Sequence, residues 1–147
     1  MKLIKISTDL ELTVHEFPTG THTEQNHVLR ELIGNNCEIY EHVMPERLYT
    51  SLKMKNHPTK IPGQCVSMLI DEESLLKDNT VNLIGSYLYK TDEHYVPIMG
   101  NILFVGEEWS FDGIDFCGIE DETFKLLEME LKNMVLAMKA TKEALSK

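Results

Sequence analysis

Apolar and polar residues alternate on a period of two through "KLIKISTDLELTVHEF" (2–17), with a turn at Ser7–Asp9. Leu10, Leu12 and Val14 fall on one side and Glu11, Thr13 and His15 on the other, which predicts a half-buried antiparallel hairpin. Pro18 and Gly20 end it, and the period then changes. Thr21 and Glu24 stand in capping-box spacing ahead of "NHVLRELIG", where Val28, Leu29 and Leu32 share a helical face and Gly34 supplies a stop. "CEIYEHV" (37–43) and the more apolar "QCVSMLID" (64–71) read as strands. Pro45, Pro58 and Pro62–Gly63 break the stretch between them into a helical turn followed by an exposed loop. "NTVNLIGSYLY" (79–89) predicts a short helix with Val81, Ile84 and Leu88 on one face, weakened by Gly85. "VPIMGNILFVG" (96–106) predicts a strand with a bend at Gly100, and "EEWSFDGIDFCG" (107–118) a turn-rich return.

The tail carries the cleanest periodicity. Phe124, Leu127, Leu131, Met134, Met138, Thr141 and Leu145 are spaced 3, 4, 3, 4, 3, 4, with Asp121 as a cap ahead of them. That is a helix of roughly 24 residues and about 36 Å, with a heptad seam, longer than a small domain is wide. The seam past Val135 is therefore expected to project or to meet a second copy, so residues 121–147 are a candidate oligomerisation element. The element order predicts a single α+β domain over residues 1–147: a mainly antiparallel sheet, two short helices and a long C-terminal amphipathic helix.

Composition narrows the partners. The chain has 147 residues, 42% of them hydrophobic, and a formal net charge of −10. So acidic a chain lacks the basic footprint that nucleic acids or anionic membranes require. Cys37, Cys65 and Cys117 are odd in number and far apart, which suits reduced thiols in the cytoplasm and neither a disulfide framework nor a zinc ribbon. "MKLIKISTDL" has no apolar run long enough for a signal peptide or a membrane span. The six histidines, His15, His22, His27, His42, His57 and His94, form no metal-binding motif, and no nucleophile elbow, P-loop or dinucleotide fingerprint is present. A protein without cofactor, metal or catalysis is expected.

"LRELIGNNCEIY" (29–40), "MLIDEESLLKDNTVNLIGSYLY" (68–89), "PIMGNILFVGE" (97–107) and "GIDFCGIEDETF" (113–124) follow one another in an order that resembles the domain of unknown function 3846 family. The family pattern maps onto Gly34, Glu38, Asp71, Glu72, Leu76, Asn82, Gly100, Gly113 and Asp115, over residues 28 to 124. This chain departs from it in a long basic insertion and an extended terminal helix. The resemblance implies a cytosolic protein of phages or mobile elements, without an assigned chemistry.

The basic insertion is the candidate site. From Arg47 to Cys65 no acid occurs, while Arg47, Lys53, Lys55 and Lys60 are basic. With Glu46 included, residues 46–65 carry +3, so the rest of the chain carries −13 of the total −10. A carboxylate about 4 Å from a bound phosphate would repel it by about 4 kcal/mol per charge at an effective dielectric of about 20, so an acid-free segment suits an anion. The negative body disfavours long polyanions, and a compact one needs to touch only the segment. The expected reading is a non-enzymatic phage-type protein that sequesters a small phosphate-bearing nucleotide, a signalling molecule of host defence. Arg47, Lys53, Lys55 and Lys60 would hold phosphate with help from His57. Tyr87, Tyr89 and Trp109 would stack on the base, and the Asn82 amide would read its edge. Homo-oligomers formed through the C-terminal helix would add buried ligand surface. The alternative is an acidic, nucleic-acid-mimicking inhibitor of a basic host protein, presenting "DEES", "TDEH", "GEEW" and "IEDE".

Overall fold

Every residue of strand β4 (Cys65–Asp71) is buried, as its largely apolar sequence predicts for a strand covered on both faces. In the structure, a computed structural model describing residues 1–77 and 80–146, β4 lies between β3 (Tyr40–Val43) and β5 (Ile102–Ser110), antiparallel to both. The other edge of β5 is shared by two strands. β1 (Lys2–Ile6) pairs with its first half, Ile4 opposite Phe104, and β6 (Gly113–Cys117) with its second, Glu107 opposite Phe116. β2 (Leu12–Glu16) adds to β1, so the order is β2-β1-β5-β4-β3 with β6 beside β5. The predicted α+β domain with a mainly antiparallel sheet is what forms.

Two boundaries differ from the pattern-based reading. The strand expected over 96–106 begins at Ile102, and the return expected over 107–118 is a second hairpin, with β5 continuing to Ser110 and turning at Phe111–Asp112 into β6. Adjacent acids at Glu107 and Glu108 concealed the strand, because the alternation they obey places only one of them inside. The helices also exceed the two short ones expected. Among the described residues they are α1 (His22–Ile33), α2 (Glu46–Ser51), α3 (Leu83–Tyr89), α4 (Thr91–His94) and α5 (Asp121–Leu145), with a 3-10 turn at Ser74–Leu76. The helix start expected at Asn79 lies outside the described residues.

Alternation along the strands gives the sheet two apolar faces. Ile4, Ile6, Val66, Met68 and Phe104 meet Leu127, Leu131 and Val135 of α5 and the buried residues of α2 and α3. Leu3, Leu69, Leu103 and Val105 meet Leu29 and Ile33 of α1 on the other side. Val28, expected to face inward, is exposed, because the Leu29–Ile33 pair takes the buried face. Thr21 caps α1, its hydroxyl accepting from the Glu24 N–H at 3.2 Å, and Gly34 ends it at φ +78°. Leu127 and Leu131 are fully buried, each worth about 1.5–3 kcal/mol of apolar burial. Helix α5 has 25 residues, about 37 Å, and its N-cap is Glu120 where Asp121 was expected. Its inward seam packs on the sheet as far as Met138, and residues 139–146 run on exposed.

Candidate functional site

Three backbones meet where the basic loop re-enters the sheet. A Cβ on Gly106 would lie 2.4 Å from the Gly118 carbonyl oxygen and 2.7 Å from the Gly63 Cα, so glycine is required there. Gly63 adopts φ +86°, donates its N–H to the Glu107 carbonyl at 3.1 Å and accepts from the Glu120 N–H at 3.0 Å. At the loop's other end Lys55 bridges Cys65. In the middle, the Trp109 indole Nε1–H donates to the Pro58 carbonyl at 3.1 Å. The loop over 53–64 is thus tied at both ends and at its centre. It carries Lys53, Lys55, His57 and Lys60, all exposed.

None of these three lysines has a carboxylate partner among the described residues. His57 Nδ1 lies 2.9 Å from the Asn56 amide oxygen. The Trp109 ring is 61% exposed beside them. A cavity of about 170 Å³ opens at the foot of the loop, lined by Lys53, Lys55, Gln64, Thr123 and Leu126. That volume holds a phosphate or a sugar; a base would have to lie outside it.

The remaining candidates are elsewhere. Arg47 sits in α2, where its guanidinium grips Asp92 through two bonds of 2.9 and 3.0 Å, donates to the Tyr87 carbonyl at 2.6 Å and lies 4.5 Å above the Tyr87 ring. Those hydrogen bonds to Asp92 hold the Asp92 carboxyl below its usual pKa. Arg47 and Tyr87 are committed to joining α2 to α3 and α4, and Tyr89 stacks on His94. Asn82 corrects its expected role outright. It has no exposed surface; it accepts from the Gly85 N–H at 3.0 Å and donates to the carbonyls of Ile6 at 3.1 Å and Gly100 at 3.0 Å. It caps α3 and ties it to β1, and no ligand edge can reach it. Of nine predicted contacts, Lys53, Lys55, His57 and Lys60 share one loop and Trp109 is bonded to its centre, while Arg47, Asn82, Tyr87 and Tyr89 lie elsewhere.

The loop stands beside a polar cluster that the pattern-based reading missed. Glu107 is 4% exposed, yet its carboxylate accepts from the Ser67 hydroxyl and, at 3.6 Å, the Cys65 thiol, and lies 3.1 Å from His42 Nε2. Burial alone would raise the Glu107 carboxyl, but the hydrogen bonds from His42 and Ser67 prevail and hold its pKa below the ordinary value. The carboxylate fixes the His42 proton on Nε2. Neither neighbouring group is open to a substrate: Ser67 and Cys65 have no exposed surface, and burial pushes the Cys65 thiol up to about 12. Phe116 packs edge-on to the His42 ring, 5.7 Å between centres. Strand alternation was the available signal, since Cys65, Ser67 and Glu107 occupy inward positions otherwise taken by Leu and Val.

Three of the acid pairs proposed as a mimicking surface are partly withdrawn from it. Asp71 is buried on Lys77 at 2.6 Å, Asp92 is held by Arg47, and Glu107 is internal. Among the described residues no group of three or more His, Cys, Asp or Glu side chains could hold a metal ion, and no helix is long and apolar enough to cross a membrane. The motif residues over 28–124 mark element ends: Gly34 after α1, Asp71 at the end of β4, Asn82 ahead of α3, Gly113 at the turn into β6. Compared with known proteins, the chain matches no protein-family model, no curated protein and no solved structure.

Proposed function

We propose that this chain is a non-enzymatic binding module that captures a compact phosphate-bearing nucleotide at the 53–64 loop. Lys53, Lys55 and Lys60 meet the phosphates, His57 assists, and the Trp109 ring stacks on the base. The observation that carries this reading is the three exposed lysines with no carboxylate partner among the described residues, in a chain of net charge −10, grouped on a tethered loop whose centre is pinned by an exposed indole. Elsewhere the same segment's Arg47 is neutralised by Asp92, so charge pairing was available and the loop lysines stayed outside it. Stacking on an exposed aromatic is worth about 1–3 kcal/mol per base, and phosphate contacts add a salt-sensitive share. The resemblance to a phage family makes a signalling nucleotide of host defence, sequestered in the cytoplasm, the first ligand class to try.

Trp109 is the chain's one tryptophan, so its emission reports directly on the site. Linear and cyclic nucleotides are titrated against native fluorescence and thermal unfolding. A bound ligand at about 100 times its Kd stabilises by about 2.7 kcal/mol, which for a domain of this size raises Tm by about 5–10 °C. Lys55→Glu with Lys60→Glu should cut affinity at least about tenfold, or about 1.4 kcal/mol, and added salt should weaken binding. If no nucleotide at millimolar concentration changes emission or Tm, the proposal fails. A salt-sensitive complex with a basic protein in that case would favour the acidic-surface alternative.

A further inference from the structure

Helix α5 carries two apolar seams, and only one of them faces the sheet. Leu127, Leu131 and Val135 are buried beneath it. On the opposite side Leu126, Met129, Asn133, Leu136 and Ala140 recur at spacings of 3, 4, 3, 4. All five are exposed, and the three large ones are 50, 59 and 66% exposed in chain order. At 100° per residue this second stripe points directly away from Leu131. The predicted seam stays against the core as far as Met138 and is free at Thr141 and Leu145, so the larger free apolar face is a different one.

We propose that this outward seam pairs with the same seam of a second copy as a short parallel coiled coil. Taking Leu126, Asn133 and Ala140 as the a positions and Met129 and Leu136 as the d positions, the flanking g positions are Lys125, Lys132 and Lys139, and the first e position is Glu130. A parallel pair sets Lys125 of each copy against Glu130 of the other. An antiparallel pair would set the lysine rows against each other, and like charges at g positions disfavour it. Asn133 then meets its own counterpart across the axis, the device by which one polar a residue fixes register in two-stranded coils. Both sheets lie on the outer sides of the pair, since they occupy the far side of each helix. The exposed stretch 139–146 runs beyond the sheet alongside its partner.

The full chain is followed by sedimentation across a concentration series, together with Leu136→Glu and Ala140→Cys. The wild type should double its apparent mass as concentration rises. Leu136→Glu, which alters a solvent-facing side chain, should remain a folded monomer by circular dichroism. Ala140→Cys should oxidise to a symmetric disulfide dimer, because parallel pairing brings residue 140 of both copies together. In an antiparallel pair with residue 133 opposite itself, the two copies of residue 140 would be about 21 Å apart. A wild-type monomer at every concentration overturns the proposal. So does a dimer that survives Leu136→Glu, or one in which Ala140→Cys fails to cross-link. Leu126 also lines the cavity at the foot of the basic loop, but this outcome is read at residues 136 and 140 without any nucleotide, so its failure and that of the binding proposal are distinguishable.

Discussion

Replacing Glu107 by glutamine removes one negative charge from the interior of the sheet and hardly alters its volume. In the native protein the carboxylate is met by Ser67, by His42 Nε2 at 3.1 Å and by the Cys65 thiol at 3.6 Å. Hydrogen bonds to a charged acceptor are worth about 1.5–3 kcal/mol net, against about 0.5–1.5 for neutral pairs. Weakening the two stronger bonds therefore costs about 2–3 kcal/mol. A buried amide needs less desolvation than a buried carboxylate, which returns part of this, so the expected loss is about 1–2 kcal/mol. The direction of the Glu107 pKa, set by the same hydrogen bonds, has the same sign. The native pKa of Glu107 is depressed, so the fold accommodates the ion better than the neutral acid that glutamine resembles. A depressed carboxyl contributes stability that is fully present above its unfolded pKa of about 4.3 and is lost as pH falls through the folded value. The gap between wild type and Glu107→Gln should thus be full at neutral pH and close as pH drops below about 4. Urea unfolding followed by circular dichroism at several pH values measures it, as a shift in midpoint at constant slope. The matching change in Tm is about 2–8 °C. A variant as stable as wild type at neutral pH would refute the reasoning, as would a gap that persists unchanged to pH about 3.

Two other changes test how the remaining polar groups are used. Asn82→Ala removes an N-cap, worth about 1 kcal/mol, and takes one buried donor from each of two carbonyls, so denaturant melts should show a loss of about 3 kcal/mol with the nucleotide response unchanged; the opposite pairing would return Asn82 to the ligand site. Burial raises Cys37 to about 11 and both Cys65 and Cys117 to about 12, so at pH 8 an aromatic disulfide reagent should label the native protein slowly and all three thiols only after denaturation. One rapid equivalent in the native state would contradict that burial.

The hairpin at the start, the capped α1, the buried β4 and the long α5 were legible because each carries a local signal: alternation, a capping pair, a largely apolar run, a heptad. The β5–β6 hairpin was less so. A turn-rich return over 107–118 was visible, but Glu107 and Glu108 read as solvent, and only pairing with β4 and β6 sends the first inward. The candidate site divides in the same way. An acid-free basic stretch is a property of composition, so its existence could be read directly. Which of its cations remain free could not, because Asp92 lies 45 positions beyond Arg47 and meets it only when α2 packs beside α3 and α4.

The linear chain alone determined the class of fold, the amphipathic helix and the local reversal of charge, since periodicity and charge are summed over neighbours along the backbone. Tertiary packing alone decided that Asn82 is a cap, that Arg47 is neutralised, that Glu107 is internal and that α5 keeps a second seam in water. Those outcomes depend on which distant side chain arrives within hydrogen-bond range or covers an apolar face. No local pattern encodes that arrival.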